Sequence, residues 1–389
     1  MPNAVPIQQS ERIVVVDIIR GFALTGVLFA NFNSYLTQDM PGTVFKSISG
    51  YSDHFLEKFN TIFIEWKFMT LFSILFGYGF GLILNNLKKK NISPNIFFLR
   101  RMFWLFVIGL IHNAFWWGDV LHFYAISGAL LLFFQKMKPA TLLISSLLLM
   151  FVIPPIISYF FRDTPGFFTD ENINRIYLAF RNGNLFEVFS ANAKMYYPAF
   201  IVTGGDLHDI TETLGRFLFG YFFLSINLFD ALEKKKTLFR NAILITVPIA
   251  IAYYIVRWLS YNKVITTHPT YWEPLMKLGI ISTTCFYVST LTFLYIKFGK
   301  LKFFSMLQAL GKMTLTNYLL VSVACITILY GIGFGQLGIL PLHIMWLFAF
   351  IWWIIEIIFS TWWLKKFRYG PAEWIWRQLS YRKRFPIRK

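Results

Sequence analysis

The reading of the fold rests on the stretch IVVVDIIRGFALTGVLFANFNSYL, residues 13–36. It is apolar throughout except for Asp17, Arg20, Thr25 and a short polar run at Asn31, Asn33 and Ser34. About 20 residues of this kind are needed to cross a hydrocarbon core as a helix. The run is longer than the apolar core of a signal peptide, contains two charges and lacks a small-residue cleavage site, so it is expected to stay in the mature protein.

Outward from this segment, comparable windows recur at 60–86, 96–117, 119–135, 140–161, 212–233, 238–259, 276–297, 305–331 and 342–364. The expectation is an all-α polytopic membrane bundle of ten transmembrane helices forming one domain. Residues 162–211 make its only long external loop and 365–389 a basic tail. Composition agrees: of 389 residues, 56% are hydrophobic and 14% charged, against about 25% charged in soluble domains. The aromatic share of 20% suits lipid-facing surfaces and interfacial belts.

The net charge of +18 is distributed as a topology signal. Basic clusters occupy every second connection: Lys88 to Arg101, Lys136 and Lys138, Lys234 to Arg240, Lys297 to Lys302, and the tail from Lys365 onward. Because basic loops are retained in the cytoplasm, both termini are expected there. Neither a soluble basic domain nor a recognition motif is visible, which argues against nucleic acid as a partner. Trp374, Trp376 and the neighbouring Arg residues fit an interfacial helix on an anionic leaflet. Cys285 and Cys325 lie inside apolar runs, far from any His at ligand spacing, and read as core residues.

Ionisable groups inside spans cost several kcal/mol unless paired or hydrated, which makes each a candidate site. Asp17 and Arg20 share one helix face near the basic end, either as an intrahelical ion pair that snorkels or as the foot of a polar stripe rising to Asn31. Around a tight turn, LIHNAFWWGDVLHFYAI brings His112, Asp119 and His122 together. They form either a base with its orienting carboxylate or a set of satisfied interfacial groups. No ligand pattern completes a metal site there. Glu65, Lys67, Arg216 and Arg257 are expected at one outer level, while Glu356 lies deep in the last span with its partner open. His54, His208, His268 and His343 read as surface residues beside external connections. No Walker loop, dinucleotide fingerprint or nucleophile elbow appears.

The segments VDIIRGFALTGVLFANFNSY, KFMTLFSILFGYGFGLIL, LIHNAFWWGDVLHFYAISGALLL, GKMTLTNYLLVSV and YGPAEWIWRQLSYRK together resemble the YeiB-like family of bacterial plasma-membrane proteins, over nearly the whole chain. The DxxRG opening is also similar to the transmembrane acyltransferase superfamily, which includes heparan-α-glucosaminide N-acetyltransferase and the acyltransferase-3 group. In the acyltransferase-3 pattern a catalytic His follows the Arg after ten residues; here Asn31 stands at that spacing from Arg20. The resemblance implies transfer of an acyl group from cytoplasmic acyl-CoA, acetyl-CoA being the simplest, to an envelope glycan, lipid or small molecule. Arg20, with Asp17 beside it, and Arg100 or Arg101 would hold the donor. His112 or His122 with Asp119 would supply the base, and Asn31 would stabilise the oxyanion. The competing reading is a transporter or small-molecule binding protein built on the same bundle.

Overall fold

The computed structural model describes residues 13–37, 50–90, 93–164, 170–196, 201–262, 264–265 and 269–389. Helices are α1 (Val14–Thr37), α2 (Gly50–Phe59), α3 (Lys67–Lys89), α4 (Pro94–Phe115), α5 (Leu121–Leu130), α6 (Pro139–Leu147), α7 (Ile153–Phe160), α8 (Asp170–Asn182) and α9 (Leu185–Tyr196). They continue as α10 (Gly205–Ser225), α11 (Lys236–Tyr261), α12 (Pro269–Phe298), α13 (Lys302–Lys312), α14 (Thr314–Leu329), α15 (Leu342–Lys366) and α16 (Pro371–Tyr381). No β-strand occurs among the described residues.

Among the described residues, seven helical segments are long and apolar enough to span a membrane, or eight when the bent pair α13–α14 is taken as one span. Each of the ten expected windows holds helix, but several depart from a straight apolar rod. The window at 119–135 holds the short helical stretch Leu121–Phe134. The window at 212–233 falls on α10, whose Asp206, Asp209, Glu212 and Arg216 make it too charged to read as a span by composition. The window at 305–331 turns through 81° between α13 and α14.

The bend has a physical cause. A helix start leaves backbone N–H groups without intrahelical partners, and those of α14 are met by a carboxylate from far along the chain. Glu373 on α16 accepts from the Leu315 and Thr316 amides at 2.6 and 3.1 Å and from the Thr316 hydroxyl at 2.5 Å. A second interruption sits between α2 and α3, where the π-helical turn Asn60–Ile64 is followed by Trp66 at φ 64°. Lys67, nearly fully buried, donates its ammonium to the Thr61 carbonyl and so satisfies an acceptor exposed by the break.

At the centre, α1 lies against α13 with almost no side chain between them. A Cβ on Gly21 would collide with the Leu307 carbonyl, and one on Gly311 with the Asp17 carbonyl. Lipid tails are as apolar as leucine, so close backbone approach through small residues is a main source of helix association in a bilayer. Gly77 and Gly220 bring α3 and α10 together in the same way, against the carbonyls of Phe217 and Ile74. Outward-facing residues of α11 and α15 are large, apolar and exposed, Ile245, Ile255, Ile351 and Ile358 among them, which is the surface a lipid-facing helix presents.

Candidate active site

The two tightly packed pairs leave space between them. A cavity of about 530 Å³ is lined by α1, α3, α4, α10 and α16 together with the turn that joins α4 to α5. Along α1 its wall runs from Asp17 to Ser34, a distance of about 25 Å at the helical rise of about 1.5 Å per residue. That is close to the thickness of a hydrocarbon core of about 30 Å.

Its basic end carries Arg20, Arg101, Lys312 and Arg377, with Asp17 and Glu373 as the acidic residues. Asp17 accepts from the Arg20 guanidinium at 3.2 Å, and the Glu373 carboxylate is engaged by the start of α14. Positive charge therefore prevails at this mouth. The Arg101 guanidinium lies 3.6 Å over the Trp376 ring, and that of Arg377 lies 4.3 Å over Tyr369. Stacking of this kind suits guanidinium, which is planar and more weakly hydrated than ammonium. Arg100 faces elsewhere: its Nε donates to the Ser380 carbonyl at 2.6 Å and it does not line the cavity.

Midway the walls are apolar, from Leu24, Phe72, Leu75, Phe76 and Leu105. Further along come Asn31, Asn33, Ser34, Asn60, Trp116 and Asp119. The amide nitrogen of Asn31 is buried with no hydrogen-bond partner among the described residues, leaving a donor at the cavity wall.

Asp119 is fully buried and is the hub of the site. His112 Nδ1 donates to its Oδ1 at 2.7 Å, and His122 Nδ1 to its Oδ2 at 3.0 Å. The backbone amides of Leu121 and His122 add donors to Oδ2 at 3.0 and 3.3 Å, and the Tyr318 hydroxyl lies 3.4 Å from Oδ1. This many donors favour the ionised carboxylate and set both rings with Nδ1–H toward it. The remaining ring nitrogens point away from the cavity: His112 Nε2 meets the Ser322 hydroxyl at 2.7 Å, and His122 Nε2 meets the Tyr196 hydroxyl at 2.9 Å. The structure thus brings together the three residues that sequence placed around one turn, but Asp119, not either histidine, forms the cavity wall.

The turn is held from outside by α9. Asn192 accepts from the Trp117 amide at 2.9 Å and donates to the Ala114 carbonyl at 3.0 Å. The long connection therefore contributes a cap over this end of the site, through α8 and α9. Burial, with the Asp206 carboxylate beside it, pushes the Tyr196 phenol on α9 above its ordinary value, so it serves as a neutral donor.

Other charged groups form pairs and a network, and Glu65, Asp209, Glu212 and Arg216 also line the cavity. Glu65 faces Arg257 at 3.8 Å, while Arg216 bonds Glu212, which also lies 3.3 Å from Lys277, itself 2.6 Å from Glu273. His208 bridges Asp209 and Glu273, each at 3.1 Å, and His343 bonds Asp53 at 2.7 Å. His54 lies 3.7 Å from Glu57, and His268 is outside the described residues. Lys312 faces the cavity, and both carboxyl oxygens of Glu356 are buried with no hydrogen-bond partner among the described residues. Trp376, Arg377, Tyr196 and Asp206 are the contributors that sequence reading did not connect to the site. Only the proximity of Trp and Arg in the tail hinted at the first two.

Fold and site together define a polytopic helical membrane protein with a long internal cavity, cationic at one end and built around a buried carboxylate at the other. Residues 223–383 match the family described as "Protein of unknown function (DUF418)". The chain is 29% identical to the uncharacterized protein YxaH of Bacillus subtilis (strain 168), covering 100% of this chain and 99% of that one. It is 28% identical to an uncharacterized 39.9 kDa protein in the amylase 3'region of Bacillus acidopullulyticus, over 98% and 97% of the two chains. To the uncharacterized protein YeiB of Escherichia coli (strain K12) it is 24% identical, over 96% and 97%. No solved structure matches. Over nearly its whole length the chain is therefore similar to YeiB-like proteins.

Proposed function

We propose that this protein is a plasma-membrane acyltransferase that passes an acyl group from cytoplasmic acyl-CoA to an acceptor entering from the other face. One observation carries the reading: a single cavity joins the Arg20, Arg101 and Arg377 mouth to Asn31 and Asp119. The positive-inside rule puts the basic mouth in the cytoplasm, where acyl-CoA is made. Its guanidinium groups suit phosphate contacts, and the apolar middle suits the pantetheine arm and the acyl chain.

In the reaction, the acceptor hydroxyl or amine loses a proton to Asp119 as its oxygen or nitrogen bonds the thioester carbonyl carbon. The carbonyl becomes an oxyanion, which the Asn31 amide donates to. Collapse breaks the carbon–sulfur bond, and the thiolate leaves and takes up the proton held by Asp119, which returns to its carboxylate form. His112 and His122 act here as positioning residues that hold Asp119 ionised before the proton arrives. The acceptor class is an envelope glycan, lipid or small molecule.

The test is binding of acetyl-CoA and longer acyl-CoAs to purified protein in detergent, followed by release of free CoA on addition of candidate acceptors. Arg20→Ala and Arg377→Ala should weaken binding, whereas Asp119→Asn should bind and fail to release CoA. Absence of saturable binding to the folded wild type at millimolar donor would overturn the reading. A second reading, a transporter, is favoured by the two interrupted helical stretches, at Asn60–Trp66 and between α13 and α14, since transporter sites are commonly built on discontinuous helices. Binding of a small anion without any CoA release would select it.

A further inference from the structure

Beyond Asp119 the hydrogen bonds do not stop at His122. The Tyr196 hydroxyl lies 2.9 Å from His122 Nε2 and 2.8 Å from Asp206 Oδ2. Asp206 sits in the first turn of α10, half-buried, beside the exposed Ile201 and Leu207. Four groups from four elements therefore form one unbroken line: Asp119 in the α4–α5 turn, His122 on α5, Tyr196 on α9 and Asp206 on α10. Its inner end is a wall of the cavity, and its outer end is half-buried in the first turn of α10.

We propose that this line is a proton path between the buried site and Asp206 in the first turn of α10. The count of hydrogens allows it. Tyr196 has one hydroxyl proton and two acceptors in reach, so it donates either to Asp206 or to His122, never to both. With Nδ1–H of the neutral His122 ring directed at Asp119, the shift runs inward from a proton taken up at Asp206. The O–H bond at Asp206 breaks as its proton joins the Tyr196 oxygen. The original Tyr196 proton moves to His122 Nε2, and the Nδ1 proton moves to Asp119 Oδ2. Three bonds to hydrogen break and three form; Asp206 ends as a carboxylate and Asp119 as a carboxylic acid, and the reverse shift restores the starting tautomer. No heavy atom has to travel during the shift. Use of the path in catalysis rests on the acyl-transfer reading, where it would set the protonation state of Asp119 between turnovers; the path itself does not rest on it.

The groups facing His122 are Asp119 from the turn and Tyr196 from α9, with the charge of Asp206 on α10 behind Tyr196. Asp209, one turn further along α10, adds negative charge near Tyr196. If the line is continuous, the charge of His122 is coupled to the Asp206 carboxylate through one hydroxyl. The measurement is a pH titration of His122 by NMR in full-length protein carrying 15N-histidine in detergent, the signal assigned with His122→Gln. Asp206→Asn should lower the His122 midpoint by about one pH unit, a tenfold change in its proton affinity. Tyr196→Phe should lower it similarly, and the double variant should shift no further than Tyr196→Phe alone, since the hydroxyl is the link. Additive shifts, or a midpoint that Tyr196→Phe leaves in place, would overturn the proposal. Tyr196→Phe removes one oxygen from a packed ring, so it decides the matter even where Asp206→Asn does not fold. A wild type without acyl-transfer activity would remove the functional reading and leave this titration result standing.

Discussion

Gly79 on α3 faces the end of the Arg20 side chain on α1: a Cβ at position 79 would stand 2.7 Å from Arg20 Nη2 and 4.0 Å from Cζ. The absence of a side chain at 79 is what lets the guanidinium occupy the cationic mouth. Gly79→Ala should therefore push Arg20 aside with little cost to folding, because the atom met is the far end of a long, flexible side chain. Loss of a charged hydrogen bond is worth roughly 1.5–3 kcal/mol, so acyl-CoA should bind roughly tenfold or more weakly, measured by titration calorimetry in detergent. Unchanged affinity would remove Arg20 from the donor site.

The neighbouring glycines give the opposite outcome. At Gly21 and Gly311 the atoms met are the backbone carbonyls of Leu307 and Asp17, which cannot turn away. Overpacking of this kind costs about 1–3 kcal/mol. Gly311→Ala should lower the thermal unfolding midpoint in detergent while Gly79→Ala leaves it near wild type.

Trp376 ties the tail to the mouth twice, under the Arg101 guanidinium and through its indole N–H, which donates to the Arg101 carbonyl at 2.9 Å. A partly desolvated cation–π contact is worth about 0.5–2 kcal/mol. Trp376→Ala should weaken donor binding by roughly two- to thirtyfold and should lower proteolytic resistance of the tail; Trp376→Phe should keep most of the affinity. Equal loss in both variants would point to the indole N–H instead of the stack.

Asp119→Asn keeps the shape of the hub and removes its charge. General-base contributions are typically about 10²–10⁴-fold, so CoA release should fall by roughly that factor with donor affinity retained. His112→Gln and His122→Gln should be milder, because neither ring lines the cavity. A histidine variant more damaging than Asp119→Asn would reassign the base.

Asn192→Ala leaves the buried Trp117 amide without its acceptor. An unsatisfied buried donor costs about 1–3 kcal/mol, and the turn carrying Asp119 loses its outer clamp. The expected result is reduced turnover with donor affinity near wild type, read from CoA release against substrate titration.

By itself the sequence determined the solvent of this protein and singled out its candidate site residues. A run such as residues 13–36 is apolar over a length that only a bilayer accommodates, and that is a local property needing no knowledge of neighbours. The same economy makes Asp17, Arg20, Asn31, His112, Asp119 and His122 stand out, since polar groups at that depth need a reason. Tertiary packing alone decided which of them face the cavity. His112, Asp119 and His122 are close in sequence, but which one faces the cavity depends on Ser322 of α14 and Tyr196 of α9 taking the far ring nitrogens. The bend at α13–α14 answers to Glu373, and the cationic mouth needs Trp376 and Arg377 from the tail beside Arg20 and Arg101. These are contacts between residues far apart in the chain, supported by backbone approach at Gly21 and Gly311 and by the space left for Arg20 at Gly79. Helical periodicity constrains neighbours three and four residues away and carries no information over that distance.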